Sequence, residues 1–171
     1  MVKQITLTRD GITLVSDEDA DLAAYTWYPQ VARGRLSYAN RLNYSDDSEV
    51  LVHEALHRVI MGRLLGRPLR RGEYVDHIDG NGLNNVRENL RLANGSQNGS
   101  NRRMSARNKS GYKGVSWNAQ QQTWCASVCV NYQKFYLGNF ASKHDAARAY
   151  NAKAIELHGQ YARLNVIDEG L

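Results

Sequence analysis

The 171-residue sequence predicts an α+β chain built from several small pieces, on three observations. Short alternating apolar runs bounded by Gly, Asn and Asp recur from Lys3 onward, which is the period of half-buried strands. Two longer stretches, Val52 to Leu65 and Ser142 to Leu157, instead repeat apolar residues at helical spacing. Between them, Gly99 to Lys113 carries five basic and no acidic side chains among Ser, Asn and Gly, and reads as a spacer. The boundaries that follow are a β-rich subdomain at 1–50, a core at 51–103, a basic linker at 104–111, and a three-stranded sheet on one helix at 112–166.

Lys3 to Thr8 and Gly11 to Ser16 read as a hairpin around Arg9-Asp10-Gly11. Asp17 to Tyr25 reads as a short helix capped by Ser16 or Asp17. Trp27-Tyr28-Pro29 ends it, and Val31 to Tyr44 suggests a second hairpin around Arg33-Gly34-Arg35. This first segment shows no catalytic constellation and is expected to prop the core. In Val52 to Leu65, residues Val52, Leu56, Val59, Ile60 and Leu64 share one helix face, and Gly66 to Gly72 forms a basic turn after it. The helix contains His53-Glu54-Ala55-Leu56-His57, the spacing that sets two imidazoles and a carboxylate on one helix face in zinc peptidases.

In the last segment, Tyr112 to Trp117, Thr123 to Asn131 and Lys134 to Phe140 read as three strands, with a turn at Asn131-Tyr132-Gln133. Trp124, Ala126, Val128 and Val130 face one side of the middle strand; Cys125, Ser127, Cys129 and Asn131 face the other. The helix begins at Ser142 with Asp145 completing a capping box. It packs through Ala146, Ala147, Tyr150, Ala154 and Leu157, and stops at Gly159. The sheet's other face stays open, and such a face can enter a DNA groove.

Composition narrows the partners. No run approaches the roughly 20 apolar residues of a membrane span. The start, Met-Val-Lys-Gln-Ile-Thr, lacks the apolar core of a signal peptide, so a cytoplasmic protein of a bacterial or phage-infected cell is expected. Cys125 and Cys129, four apart on a strand, stand about 13 Å from one another and read as free thiols. The net charge of +5 is uneven: residues 1–50 hold five basic and eight acidic groups, residues 99–171 ten and four. The basic end attracts a phosphate backbone.

The chemistry concentrates at Tyr74-Val75-Asp76-His77-Ile78-Asp79-Gly80-Asn81 and the asparagines after it. An apolar-flanked Asp-His pair enters a Gly/Asn turn, a second short run follows at Asn89 to Ala93, and a polar segment suited to a helix starts at Ser96. Cutting a phosphodiester needs a deprotonated water and charge stabilisation of the phosphorane and leaving oxygen. His77 is the natural general base. Asp76 and Asn98 supply hard oxygens that suit Mg²⁺, with water and phosphate completing the shell. On a strand, Asp76 and His77 point to opposite faces unless a bulge or strand end intervenes. The Asn89 amide can close the long loop by bonding its backbone.

The ordered set His57-Arg58, Val75 to Asn81, Asn84-Asn85, Asn89-Leu90-Arg91, Gln97-Asn98 and Asn101 resembles the HNH endonuclease family, in the variant whose last ligand is Asn. The resemblance covers about Val52 to Arg103. It implies a ββα-metal core with one Mg²⁺ (or Mn²⁺) on Asp76 and Asn98, His77 as base and Asn89 fixing the loop. Tyr112-Lys113-Gly114-Val115, Trp124 to Val128, Tyr136 to Phe140, Asp145 to Asn151 and Ala162 to Asn165 resemble the AP2 DNA-binding domain. That match implies a DNA-facing sheet with Lys113, Ser116, Ser127, Cys129, Lys134, Tyr136 and Asn139. Plant members carry arginines at several of these positions, so Ser116 and Cys129 depart from the pattern and the family's usual target sequence does not carry over.

The combined reading is a homing-like HNH endonuclease acting on double-stranded DNA, nicking as a monomer and breaking both strands as a dimer. The basic segment Arg102, Arg103, Arg107 and Lys109 lies along the DNA, and the AP2-like sheet targets the cut. Two alternatives stand beside it: a DNA-binding regulator with an inactive core, and a zinc peptidase using His53, Glu54 and His57.

Overall fold

Arg9 and Asp10 both take left-handed backbone, with φ of 61° and 60°, and the chain reverses there. In the computed structural model, which describes residues 1–32, 35–45, 48–131 and 133–167, this turn joins β1 (Val2–Leu7) to β2 (Gly11–Ser16). The expected short helix follows as a 3₁₀ helix at Asp17–Ala24. Ser16 does not cap it, because its Oγ accepts from the backbone N–H of Arg87 at 2.9 Å. Next come β3 (Tyr28–Ala32), β4 (Arg35–Ser45) and β5 (Ser48–Ala55) as an antiparallel meander. Pro29 lies on the edge strand, where a missing N–H is tolerated. The expected turn residues Arg33-Gly34 lie outside the described residues, as does Tyr132 of the later turn.

Helix α1 (Leu56–Leu65) corrects the sequence reading of a helix from Val52. Val52 to Ala55 are the end of β5, where Val52 pairs with Asn43 and Glu54 with Arg41. Arg41 holds the Glu54 carboxylate across the strands, with Nη2 at 2.8 Å. Val52 fits strand and helix periods equally well, and the neighbouring strand decides between them. The helix ends at Gly66, in left-handed backbone. Then β6 (Tyr74–His77) and β8 (Leu90–Ala93) form an antiparallel pair, and the loop between them contains β7 (Asn84–Asn85) and a 3₁₀ turn, Arg87–Asn89. Strand β7 adds to β2 in parallel.

All of this forms one unit, Met1–Asn94. One hydrophobic cluster runs through it, from Ile5, Leu7, Val15, Leu22 and Trp27 to Leu56, Ile60, Val75 and Leu90. Residues before 50 therefore share a core with the Asp-His hairpin.

The second unit is Gly95–Leu171. It opens with the short helix α2 (Gly95–Ser100) and continues as β9 (Val115–Asn118), β10 (Thr123–Val130) and β11 (Gln133–Phe140), an antiparallel sheet in the order β11-β10-β9. Helix α3 (Lys143–His158) packs on it through Ala146, Ala147, Tyr150 and Ala154. Ser142 caps α3 by accepting from the His144 N–H. Asp145 accepts from Arg148 at 2.8 Å. Strand β9 starts later than expected, because Asn108 to Tyr112 fold into a hydrogen-bonded turn around the buried Ser110. The β10–β11 register shifts between Ala126 and Ser127. That bulge sets Tyr136 and Asn139, three apart, on the same exposed face, while Leu137 and Phe140 pack inward.

Gly114 has φ +75°, and a Cβ there would stand 2.1 Å from a ring carbon of Tyr150. Gly114→Ala is expected to destabilise the second unit by about 1–3 kcal/mol through overpacking alone, read as a lowered urea midpoint. Among the described residues no helix is long and apolar enough to cross a membrane.

Candidate active site

His77 is the last residue of β6, and the β6–β8 ladder pairs Asp76 with Arg91 and His77 with Leu90 without a bulge. Asp76 faces its cross-strand partner: Arg91 Nη2 and Nε donate to Asp76 Oδ2 at 2.6 and 2.8 Å. The buried His77 ring turns the other way, toward the rings of the half-buried His57 and the exposed Tyr38. Its ring centroid lies 5.2 Å from that of His57 and 5.9 Å from that of Tyr38. Its Nε2 lies 3.1 Å from Asn85 Oδ1. Burial pulls the His77 pKa below 6.5, against the opposing pull of Asn85, Asp79 and Asp76.

The loop after His77 is closed by side chains. Asn89 Oδ1 accepts from the Asp79 N–H at 3.1 Å, and Asn89 Nδ2 donates to Asp79 Oδ1 at 3.0 Å and to the Asn84 carbonyl at 2.8 Å. Asp79 also accepts from the Asn81 N–H and from Asn84 Nδ2. Burial raises the Asp79 carboxyl, but these hydrogen bonds outweigh it and hold it below its ordinary value. Gly82 passes so close to β4 that a Cβ would stand 2.0 Å from the Ser37 carbonyl oxygen.

His57 sits at the start of α1, and its Nδ1 finds no hydrogen-bond partner among the described residues. Burial, then repulsion from His77 and Arg58, pushes its pKa down to about 3. The unfolded chain protonates near 6.5, so this contribution is complete above that pH and is lost as pH falls toward 3. Urea midpoints should drop as the pH is lowered from about 7 to about 4, and drop less in His57→Leu. The peptidase alternative is overturned here. His53 lies on β5 and His57 on α1, so the helix face that HExxH chemistry needs does not exist. Among the described residues no three His, Cys, Asp or Glu side chains gather to hold a metal ion.

Asn98 lies on α2 of the second unit. Arg102, Arg103, Arg107 and Lys109 are exposed. Lys113 Nζ donates to the carbonyls of Ser100 and Arg102, and burial pulls its pKa down to about 8. On the sheet, Ser116 and Asn139 both pair with Cys125, Tyr136 pairs with Ser127 and Lys134 with Cys129, so these residues share one face. All are exposed except Ser127 and Cys125, which are half-buried, and both cysteines are free. Thr13, Tyr38 and a specific contact for Asn85 were not legible in the sequence. The only signal was Thr13 on the inward face of an alternating strand.

Comparison with known proteins agrees with this geometry. Residues 54–100 match the family model for an HNH endonuclease. Protein 3.8 of Escherichia phage T7 is 39% identical over 99 residues, 56% of this chain and 78% of that protein. An uncharacterized HNH endonuclease of Acanthamoeba polyphaga mimivirus is 40% identical over 113 residues, 66% of this chain and 58% of that protein. No solved structure matches. An Asp-His strand end, an Asn-closed loop and these relatives lead to one conclusion: the chain belongs to the HNH endonuclease family, and it is a nuclease.

Proposed function

We propose that the chain is a divalent-metal-dependent, homing-like endonuclease of double-stranded DNA, with a C-terminal AP2-type module that targets it. The observation that carries this is His77: a buried imidazole at a strand end, its pKa pulled down by burial, next to Asp76 in the chain and followed by a loop closed by Asn89. In this reading His77 takes a proton from water, the water oxygen bonds to phosphorus, the bond to the 3′-oxygen breaks, and that oxygen picks up a proton from solvent. Asn89 acts by holding the loop that follows His77.

The donor chemistry suits Mg²⁺ or Mn²⁺, one per site, drawn from one protein carboxylate, water and DNA phosphate. Asp76 is the carboxylate, which the cation would share with Arg91. Asn98 joins as a ligand by the family resemblance alone. When bound, such a cation supplies positive charge to the phosphorane and the leaving oxygen. Arg102, Arg103, Arg107, Lys109 and Lys113 contact phosphate, and Ser116, Ser127, Cys129, Lys134, Tyr136 and Asn139 form the DNA-facing sheet. Support for the sheet's role is its polar, exposed face, and the ten basic against four acidic side chains in residues 99–171.

The test is conversion of supercoiled plasmid with Mg²⁺ and with EDTA, on DNA that includes the flanks of the gene. Metal-dependent open-circle or linear product is expected, the ratio reporting monomer or dimer action. Salt-sensitive binding without any cutting would sink the reading in favour of a DNA-binding regulator.

A further inference from the structure

His77 Nε2 lies 3.1 Å from Asn85 Oδ1. A neutral imidazole carries one ring proton, and the neighbour of one nitrogen decides where it resides. Here the neighbour is an amide, which presents either an oxygen or an NH₂ depending on its orientation. Two groups further along settle that orientation. The Leu83 carbonyl can only accept, and Thr13 Oγ1 donates its single proton to it at 2.8 Å. The Thr13 hydroxyl is then an acceptor toward Asn85, whose Nδ2 lies 2.7 Å away. The Gly82 carbonyl, 3.4 Å from the same Nδ2, accepts as well. The NH₂ end of Asn85 therefore faces Thr13, and its oxygen faces His77. An oxygen requires a proton on Nε2, so the lone pair of the neutral ring lies on Nδ1. Thr13 and Asn85 are both 0% exposed, so water cannot stand in for either. The parallel pairing of Leu14 with Asn84 and Val15 with Asn85 sets the register between them.

We infer that Thr13 and Asn85 are positioning residues: a buried relay from the Leu83 carbonyl through Thr13 and Asn85 sets the His77 tautomer and makes Nδ1 the nitrogen that deprotonates water. The inference rests on His77 being the base. It extends the working site to β2, outside the matched residues 54–100. Thr13→Val removes the acceptor for Nδ2. The amide is then free to turn its NH₂ toward His77, which moves the ring proton to Nδ1 and removes the base.

Ring-nitrogen NMR of the ¹⁵N-histidine-labelled full chain tests this, with the His77 signals identified by their loss in His77→Gln. The wild type should show a protonated Nε2 and an unprotonated Nδ1. Thr13→Ser and Asn85→Asp should keep that tautomer, since each retains the needed acceptor, and Thr13→Val should shift population toward the other. On supercoiled plasmid with Mg²⁺, Thr13→Val should lower kcat at least about tenfold with KM little changed, and Thr13→Ser should restore it. A wild-type ring protonated on Nδ1 overturns the relay, and this arm holds even if Thr13→Val fails to fold. So does a folded Thr13→Val with unchanged tautomer and rate. If the tautomer responds as expected but His77→Ala cuts as fast as wild type, the base reading fails and the positioning role falls with it.

Discussion

His77→Ala is expected to slow DNA cleavage by about 10²–10⁴-fold, the range that a positioned general base contributes. The loss should appear in kcat, because His77 is buried and contributes little surface for DNA binding. Removing the ring also leaves Asn85 Oδ1 without its partner, which costs about 1–3 kcal/mol of stability. His77→Gln separates the two effects: its amide N–H can still donate to Asn85, yet it cannot act as a base near neutral pH. Both variants should be slow, and His77→Gln should melt closer to wild type. The sign of the pH dependence follows from burial. The neutral ring is the active form, and its pKa is held below 6.5, so wild-type cleavage should stay level through neutrality and fall only at lower pH. A His77→Gln protein that cuts at the wild-type rate would remove His77 from the chemistry.

Asp19→Ala should produce the largest loss of stability, about 3–5 kcal/mol, as expected when one partner of a buried ion pair is removed. The Asp19 side chain is 0% exposed and serves two guanidinium groups. Arg87 Nε and Nη2 donate to it at 2.6 and 3.0 Å, and Arg63 Nη1 at 3.3 Å. Arg63 has a second carboxylate in Asp21, at 2.7 Å, whereas the carboxylate that Arg87 binds through two nitrogens is that of Asp19. The strain therefore falls on Arg87, which begins the 3₁₀ turn ending at Asn89. Against a typical total of about 5–15 kcal/mol, such a loss leaves the unit marginal. Urea unfolding followed by circular dichroism measures it. Asp19→Asn, which keeps an acceptor oxygen, should lose less. A change under about 1 kcal/mol in Asp19→Ala would mean that Arg87 is held by the backbone contact to Ser16 instead.

Local sequence determined a good part of this protein. The Arg9-Asp10 turn, the Asp-His strand entering a Gly/Asn loop, and the alternation along Thr123 to Val130 were all legible, because turn chemistry and side-chain period act within a few residues. Ser142 and Gly159 marked the ends of α3 for the same reason. Other features needed the folded chain. Val52 to Ala55 became strand because β4 offered hydrogen bonds and Arg41 offered a charge to Glu54. That one change divided His53 from His57 and dissolved a motif that looked complete in one dimension. The bulge beside Gly138, which sets Tyr136 and Asn139 on one face, is fixed by the pairing of β10 with β11. The N-terminal segment, read as a prop, supplies Tyr38 beside the His77 ring and Thr13 behind Asn85, the partner of His77, from 39 and 64 positions before His77. The kinds of groups at the centre were thus a matter of sequence, the carboxylate and imidazole being neighbours in the chain. Their protonation and orientation were decided by tertiary structure, since burial and directional hydrogen bonds come from partners distant in sequence.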